Sequence, residues 1–175
     1  HHFGSKPQLW REACDSVFEP LIARLTALLD AIAASQHHDA VLVLQSNLPQ
    51  ALKLVAADPL ALQFLFREGE GDDERGEYIR TKFLQPYLQR IDALFEQAQR
   101  AGVYRPVSAG SRHALVMGLL RSVVMPGLLR QELAPHLATG ETISRYIDDA
   151  VTVLYRGLIL DPDETSGPLP AGMPT

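Results

Sequence analysis

The chain has 175 residues, of which 46% are hydrophobic and only 7% aromatic, and its formal net charge is -5. Its length allows one domain with a substantial core, and its richness in Leu and Ala favours an all-helical fold over a β-sandwich. The acidic balance disfavours nucleic-acid binding by these residues, because phosphates attract a basic surface. The single Cys14 excludes an intramolecular disulfide. With no apolar run near the ~18 residues of a membrane span, we expect a cytoplasmic protein without membrane contact.

The first predicted helix begins at the N-terminal end of the chain. Ser5 is placed to cap it, Gln8 can return the capping contact, and Pro7 is tolerated in a first turn. Pro20 interrupts the helix and predicts a kink, and residues 35–38 predict a loop. Its apolar side chains recur at helical spacing on one face: Leu9, Trp10, Ala13, Val17, Leu21, Leu25, Leu28, Leu29 and Ile32.

Two helices are predicted next. Asp39 can cap a second helix that continues to residue 57 and contains Pro49. The pair Asp58 and Pro59 marks a new start, with the aspartate at the cap and the proline in the first turn. This third helix is predicted to end near residue 68, before an acidic turn.

The longest helix is predicted over residues 73–101, with Gly102 as a natural left-handed residue after its end. Segments 111–130 and 142–160 are apolar on more than one face, which indicates burial on two sides. We expect one face of each to pack on the domain and the other on a second copy, in a four-helix dimer interface. The alternative is a central hairpin of a monomeric bundle. The candidate interface residues are Val116, Leu120, Val123, Val124, Tyr146, Ala150, Val153, Leu154 and Leu158.

The segment His1–Lys6, which continues as Pro7-Gln8-Leu9-Trp10, resembles the seam between the helix-turn-helix unit and the body of TetR-family repressors. In that family an aromatic/His-Phe segment ends the recognition helix, and a Gly-Ser-Lys turn leads into a long helix. A second point of resemblance is Gly102 with the Tyr104-Arg105 pair that follows. The alternative is that the His pair and Gly-Ser are the remnant of a purification tag.

The resemblance implies an organisation and a set of partners. Residues 1–5 would end a helix-turn-helix unit whose base-reading helices lie upstream, residues 6–160 would form the ligand-binding and dimerisation domain, and 161–175 a Pro/Gly-rich tail. The implied partners are operator DNA, a small-molecule effector and a second copy of the chain. The implied DNA-phosphate contacts are His1, His2 and Lys6.

No catalytic or metal-binding constellation is predicted. His37, His38 and Asp39 could bind a metal weakly, but adjacent histidines on a loop usually face solvent. Glu132 and His136 lack the three-residue spacing of a di-iron helix bundle. The sequence also has no Gly-rich phosphate loop and no serine elbow. We therefore expect no enzyme activity, no cofactor and no metal.

Internal prolines suggest where an effector could bind. Pro49, Pro86 and Pro126 each lack a backbone N–H, and each therefore frees the carbonyl four residues earlier, at Gln45, Lys82 and Ser122. Bent helices pack imperfectly and leave a cavity, so we expect these kinks to frame the pocket.

We expect a mainly apolar pocket and a mainly apolar small-molecule effector, for example an aromatic one, that carries one or two polar atoms. Arg121 interrupts an apolar helix and, if buried, needs a partner: Glu68, Asp148 or the effector itself. The candidate pocket residues are Leu44, Leu48, Leu62, Phe66, Tyr78, Phe83, Tyr87, His113, Met117, Arg121 and Met125.

The sequence therefore predicts a ligand-responsive transcriptional regulator, a repressor that releases operator DNA when it binds a small apolar effector. The alternative is a helical small-molecule-binding protein, or a small enzyme, with an apolar cavity and no role on DNA.

Overall fold

A computed structural model describes residues 5–123 and 140–159, and it is all-helical, as the sequence predicts. Its helices are α1 (Lys6–Ser35), α2 (Ala40–Ala56), α3 (Pro59–Phe64), α4 (Glu74–Ile79), α5 (Gln85–Arg100), α6 (Ala109–Val123) and α7 (Gly140–Leu158). Two π-helical turns, Leu65–Gly69 and Arg80–Leu84, extend α3 and join α4 to α5.

Several sequence predictions lie outside the described residues. They are the phosphate contacts His1 and His2, the interface residue Val124, the pocket residue Met125, Pro126 and the tail after residue 160. For the interface residue Val123 only the backbone is described.

The helix starts follow from local capping chemistry. The side chains of Ser5, Asp39, Asp58 and Asp73 each accept a hydrogen bond from a backbone N–H two or three residues later, at 3.0–3.3 Å. Such caps satisfy N–H groups that have no partner within the helix. Gly102 follows α5 with φ of 72°, the left-handed conformation that glycine adopts without steric cost.

The helix-internal prolines are accommodated in two ways. Pro20 lies within α1, which continues unbroken for 30 residues, or about 45 Å. Pro86 follows the wide turn Arg80–Leu84, where the Gln85 N–H reaches back five residues to the Arg80 carbonyl. This π-helical turn absorbs the register change that a proline imposes, so α4 and α5 form one continuous helical segment.

Helix α2 is the centre of the packing. It contacts α1, α3, α5, α6 and α7, and its buried side chains point to more than one neighbour. The largest buried cluster joins α2 to α5 and α7 through Leu44, Leu52, Phe95, Ile147 and Val151. A helix surrounded on several sides has few exposed positions, and in α2 only Leu42 and Gln50 are exposed.

The connector between α5 and α6 ties the end of α7 to the core. Tyr104, which is 1% exposed, pairs with Ile159 in a short antiparallel bridge, and the Arg105 N–H donates to the Leu158 carbonyl at 2.7 Å. The Tyr155 hydroxyl donates to the Leu44 carbonyl. These contacts hold α7 against α2 and close one side of the domain.

No single helix in the described part of the chain has the length and hydropathy of a membrane span. Only α2 together with residues 59–69 reaches that composition, across an 85° bend.

Candidate ligand cavity

A cavity of about 150 Å³ lies between α1, α2, α3, α5, α6 and α7. Its walls are almost entirely aliphatic or aromatic. Helix α1 contributes Phe18, Leu21, Ile22 and Leu25, and the opposite wall is formed by side chains from α5 and α6. A lining of this kind favours an apolar ligand over water, because most of the wall offers no hydrogen-bond partner.

The first polar group in the wall is the pair formed by Asn47 of α2 and Tyr87 of α5. The Tyr87 hydroxyl donates to Asn47 Oδ1 at 3.2 Å, and the Asn47 side chain is 2% exposed. Burial raises the pKa of Tyr87 to about 12, with a smaller opposing effect from the hydrogen bond to Asn47. The hydroxyl therefore stays protonated at neutral pH and keeps the amide oriented.

The second polar group joins the ends of α5 and α6. Arg112 donates to Asp92 at 2.7 Å and to the Val107 carbonyl at 2.5 Å, and His113 Nε2 lies 3.0 Å from the Asp92 carboxylate. The Arg112 guanidinium also lies over the Phe95 ring, at 4.8 Å. Because the Arg112 side chain is 6% exposed, its charge needs this carboxylate.

Comparisons with known proteins identify no relative of this chain. No protein-family model, no curated protein and no solved structure matches it. The cavity and the sequence are therefore the basis for a functional proposal.

The cavity contains part of the pocket that the sequence predicts. The predicted residues in its wall are Leu44, Leu48, Leu62, Tyr87, His113 and Met117. Four others do not line this cavity: Phe66, Tyr78, Phe83 and Arg121.

Tyr78 and Phe83 instead form an aromatic cluster with Trp10, Phe18 and Phe64, with neighbouring ring centroids 5.2–6.0 Å apart. Only Phe18 belongs to both this cluster and the cavity wall. The physical reason is that α4 and the turn after it cover the N-terminal half of α1, and their rings pack there. The cavity lies along the middle of α1, at residues 18–25.

Arg121 is on the outer face of α6, with 65% of its side chain exposed. It donates to both carboxylate oxygens of Glu70, at 2.7 and 3.0 Å, and lies over the Phe66 ring at 5.6 Å. The expected partners, Glu68 and Asp148, bond to Arg75 and Lys53 instead. The acidic turn after α3 thus reaches α6 at the surface, and Phe66 is held there with it.

The prolines relate to the cavity unequally. Pro49 sits on α2 between the cavity residues Leu48 and Ala51. Pro86 is exposed, and Lys82, whose carbonyl it frees, is not in the cavity wall. From this segment, Leu84, the last residue of the π-helical turn, and Tyr87 line the cavity.

The candidate interface residues divide between the interior and the surface. Val116, Leu120, Leu154 and Leu158 line the cavity. Leu120 and Leu158 are 7% and 5% exposed within one chain, which corrects their assignment to a surface. Of the other described candidates, Val153 is 72% exposed, and Tyr146 and Ala150 are half-buried.

Asn47 and Arg112 line the cavity but are not among the pocket residues that the sequence predicts. A signal for Asn47 exists, because it is a polar residue within the inward face that carries Leu44, Leu48 and Ala51. Arg112 had no comparable signal, since its partner Asp92 lies on another helix.

Metal donors do not cluster in the described ranges, where no group of three or more His, Cys, Asp or Glu could hold an ion. His37 and His38 are exposed and adopt left-handed φ values of 51° and 60° between α1 and α2. Lys6, the remaining implied phosphate contact, is exposed at the first residue of α1.

Proposed function

We propose that this chain is the ligand-binding and dimerisation part of a TetR-like transcriptional regulator, a repressor whose hold on operator DNA is released by a small apolar effector. The observation that carries the proposal is the apolar cavity of about 150 Å³. A cavity of similar volume lined by aliphatic and aromatic side chains binds benzene, which sets the size of ligand to expect.

The free energy of an empty cavity supports a binding role. At roughly 24 cal/mol per Å³, a void of this volume costs about 3–4 kcal/mol of folding stability. That is a large fraction of the 5–15 kcal/mol by which domains are typically stable. A ligand that fills the void restores the lost contacts, so binding and stability are coupled.

Helix α1 offers a physical connection between ligand and DNA. Its residues Phe18, Leu21, Ile22 and Leu25 line the cavity, and its first residue is the one that the family resemblance places at the seam with the DNA-reading unit. A ligand that favours one tilt of α1 moves that seam and changes the distance between the two recognition helices of a dimer. A switch from 1:99 to 99:1 requires about 5.5 kcal/mol of preference.

The second copy packs, in this proposal, on the outer faces of α6 and α7. Leu115 and Val153 are 53% and 72% exposed there. At Gly118 and Gly157 an added Cβ would meet only open space, so helices of a partner can approach these positions closely. Exposed apolar side chains beside small residues suit a helix–helix interface about a two-fold axis.

The test is a mobility-shift experiment on the chain extended upstream to its natural start codon, with DNA from upstream of its own gene. We expect the extended chain to bind and a small aromatic compound to release it. The Ala51→Leu variant, which fills the cavity, should bind the same DNA without being released. An extended chain that binds the compound but shows no DNA binding even at low salt overturns the proposal.

One observation favours the alternative of a small enzyme: the His113–Asp92 pair lies in the cavity wall. Such a pair can activate water, but His113 Nε2 is engaged by the carboxylate, which leaves Nδ1 for a substrate. Hydrolysis of a small aryl ester that is lost in His113→Gln favours this alternative. Hydrolysis equal in both proteins excludes the pair as its source.

A further inference from the structure

Two buried hydrogen-bond donors in the cavity wall lack a partner. Asn47 Nδ2 and Arg112 Nε are shielded from solvent and, among the described residues, donate to no acceptor. Both residues line the same cavity, one from α2 and one from α6. Buried donors are nearly always satisfied in folded proteins, so two such donors around one void point to a missing acceptor.

Asn47 is the better placed of the two to select a ligand. Its side chain is 2% exposed and is flanked on α2 by the cavity residues Leu44, Leu48 and Ala51. The Tyr87 hydroxyl already occupies its Oδ1, which fixes the amide with Nδ2 unpaired. An amide held in this way is preorganised to donate. Ligand binding therefore costs no rotational entropy of the Asn47 side chain.

The surrounding charges indicate a neutral ligand. The guanidinium of Arg112 is balanced by Asp92, so this end of the cavity has no net charge to attract an anion. The carboxylate and amide oxygens at the wall each already accept a hydrogen bond: Asp92 Oδ1 from Arg112, Asp92 Oδ2 from His113, and Asn47 Oδ1 from Tyr87. Asn47 Nδ2, by contrast, has no acceptor among the described residues, so an acceptor on the ligand fills the larger deficit.

We propose that the effector is a neutral, single-ring or similarly small apolar molecule that carries a carbonyl-type acceptor, and that Asn47 Nδ2 donates to this acceptor. This inference rests on the proposed function, since it requires the cavity to be the effector site. It goes beyond it by naming the ligand class and the residue that selects it.

Two ligands of nearly the same shape test the inference: acetophenone and α-methylstyrene, which differ by C=O against C=CH₂. Their dissociation constants are measured by calorimetry on wild type and on Asn47→Leu/Tyr87→Phe. The double variant replaces both partners of the hydrogen bond by apolar groups of similar shape, a change that proteins tolerate better than removal of one partner. Tyr87→Phe alone is the matched control, because it keeps Asn47.

We expect the affinity for acetophenone relative to α-methylstyrene to fall at least tenfold in the double variant, a change of about 1.4 kcal/mol. In Tyr87→Phe it should fall by less than threefold. A ratio that is unchanged in the double variant, with both ligands binding, overturns the role of Asn47 and leaves the cavity as the effector site. Failure of both ligands to bind wild type, at concentrations up to their solubility, contradicts the proposed function as well.

Discussion

Two stretches of α1 meet very different environments. Beside its N-terminal part, the aromatic cluster of Trp10, Phe18, Phe64, Tyr78 and Phe83 packs ring against ring. Beside its middle, at residues 18–25, mostly aliphatic side chains from the neighbouring helices surround a void. One apolar stripe on one helix therefore faces a packed core over one stretch and a cavity over the next.

The difference shows that an apolar helix face does not by itself determine the density of packing. The rings of the aromatic cluster stack or meet edge to face, whereas Leu21 and Leu25 border a gap. Phe18 belongs to both regions and connects the packed cluster to the cavity.

The largest expected effect comes from removing a ring of the aromatic cluster. Phe83 is 3% exposed and stacked on Phe18. The Phe83→Ala variant should therefore have a free energy of unfolding about 3–5 kcal/mol lower than that of the unchanged protein. Leu88→Ala is the control at the cavity wall, where the side chain already borders a void, and it should cost less than 2 kcal/mol. Urea unfolding measures both, and equal losses at the two sites would contradict the comparison.

Adding volume should have opposite effects in the two kinds of environment. Ala51 lines the cavity, so Ala51→Leu should stabilise the fold by about 1 kcal/mol. Ala98, 1% exposed in the core beside α7 and away from the cavity wall, should destabilise it by about 1–3 kcal/mol when changed to Leu. Thermal unfolding compares the two, and destabilisation by Ala51→Leu would mean that the void is not available to a side chain.

Alkaline pH tests the burial of the tyrosine hydroxyl at the cavity. Because burial raises the pKa of Tyr87 from 10 to about 12, the folded chain holds this proton after the unfolded chain has released it. Its contribution to stability is complete below pH 10 and is lost as pH rises to 12, at no more than about 1.4 kcal/mol per pH unit. Tyr87→Phe should have a shallower decline between pH 10 and 12; an identical decline would place the hydroxyl in solvent.

The smallest effect is expected at the surface pair of Arg121 and Glu70. Exposed ion pairs contribute less than about 1 kcal/mol, so Arg121→Ala should change unfolding free energy by less than that and leave ligand affinity unchanged. Added salt should reduce the contribution of this ion pair to stability further. If Arg121→Ala binds a cavity ligand tenfold more weakly than the unchanged protein does, Arg121 takes part in ligand binding and this prediction is wrong.

Local signals in the sequence predicted much of the fold. The caps at Ser5, Asp39 and Asp58 and the left-handed Gly102 are short-range features, and each is confirmed. Helical periodicity identifies the buried face of a helix, but it does not tell which other helix packs against that face. Tyr78 and Tyr87 have similar local patterns, but the π-helical turn between them changes the register, so one ring joins the aromatic cluster and the other the cavity.

Arg121 and Asn47 illustrate a second limit. An arginine within an apolar segment predicted a buried charge, but the partner that keeps it at the surface, Glu70, is distant in sequence. Asn47 lies within an apolar stripe and is 2% exposed, but the sequence did not predict it as a pocket residue. The cost of burial depends on partners, which the sequence pattern does not contain.

The most direct test of the cavity as a binding site is a methyl-detected NMR titration with toluene. We predict saturable shifts of the Leu21, Leu25, Leu48 and Leu62 methyl groups, which line the cavity. The methyl groups of Leu29 and Val43, which pack in a separate buried cluster, should remain in place and serve as the internal control. Shifts confined to exposed leucines, or none up to the solubility of toluene, would contradict a ligand-binding cavity.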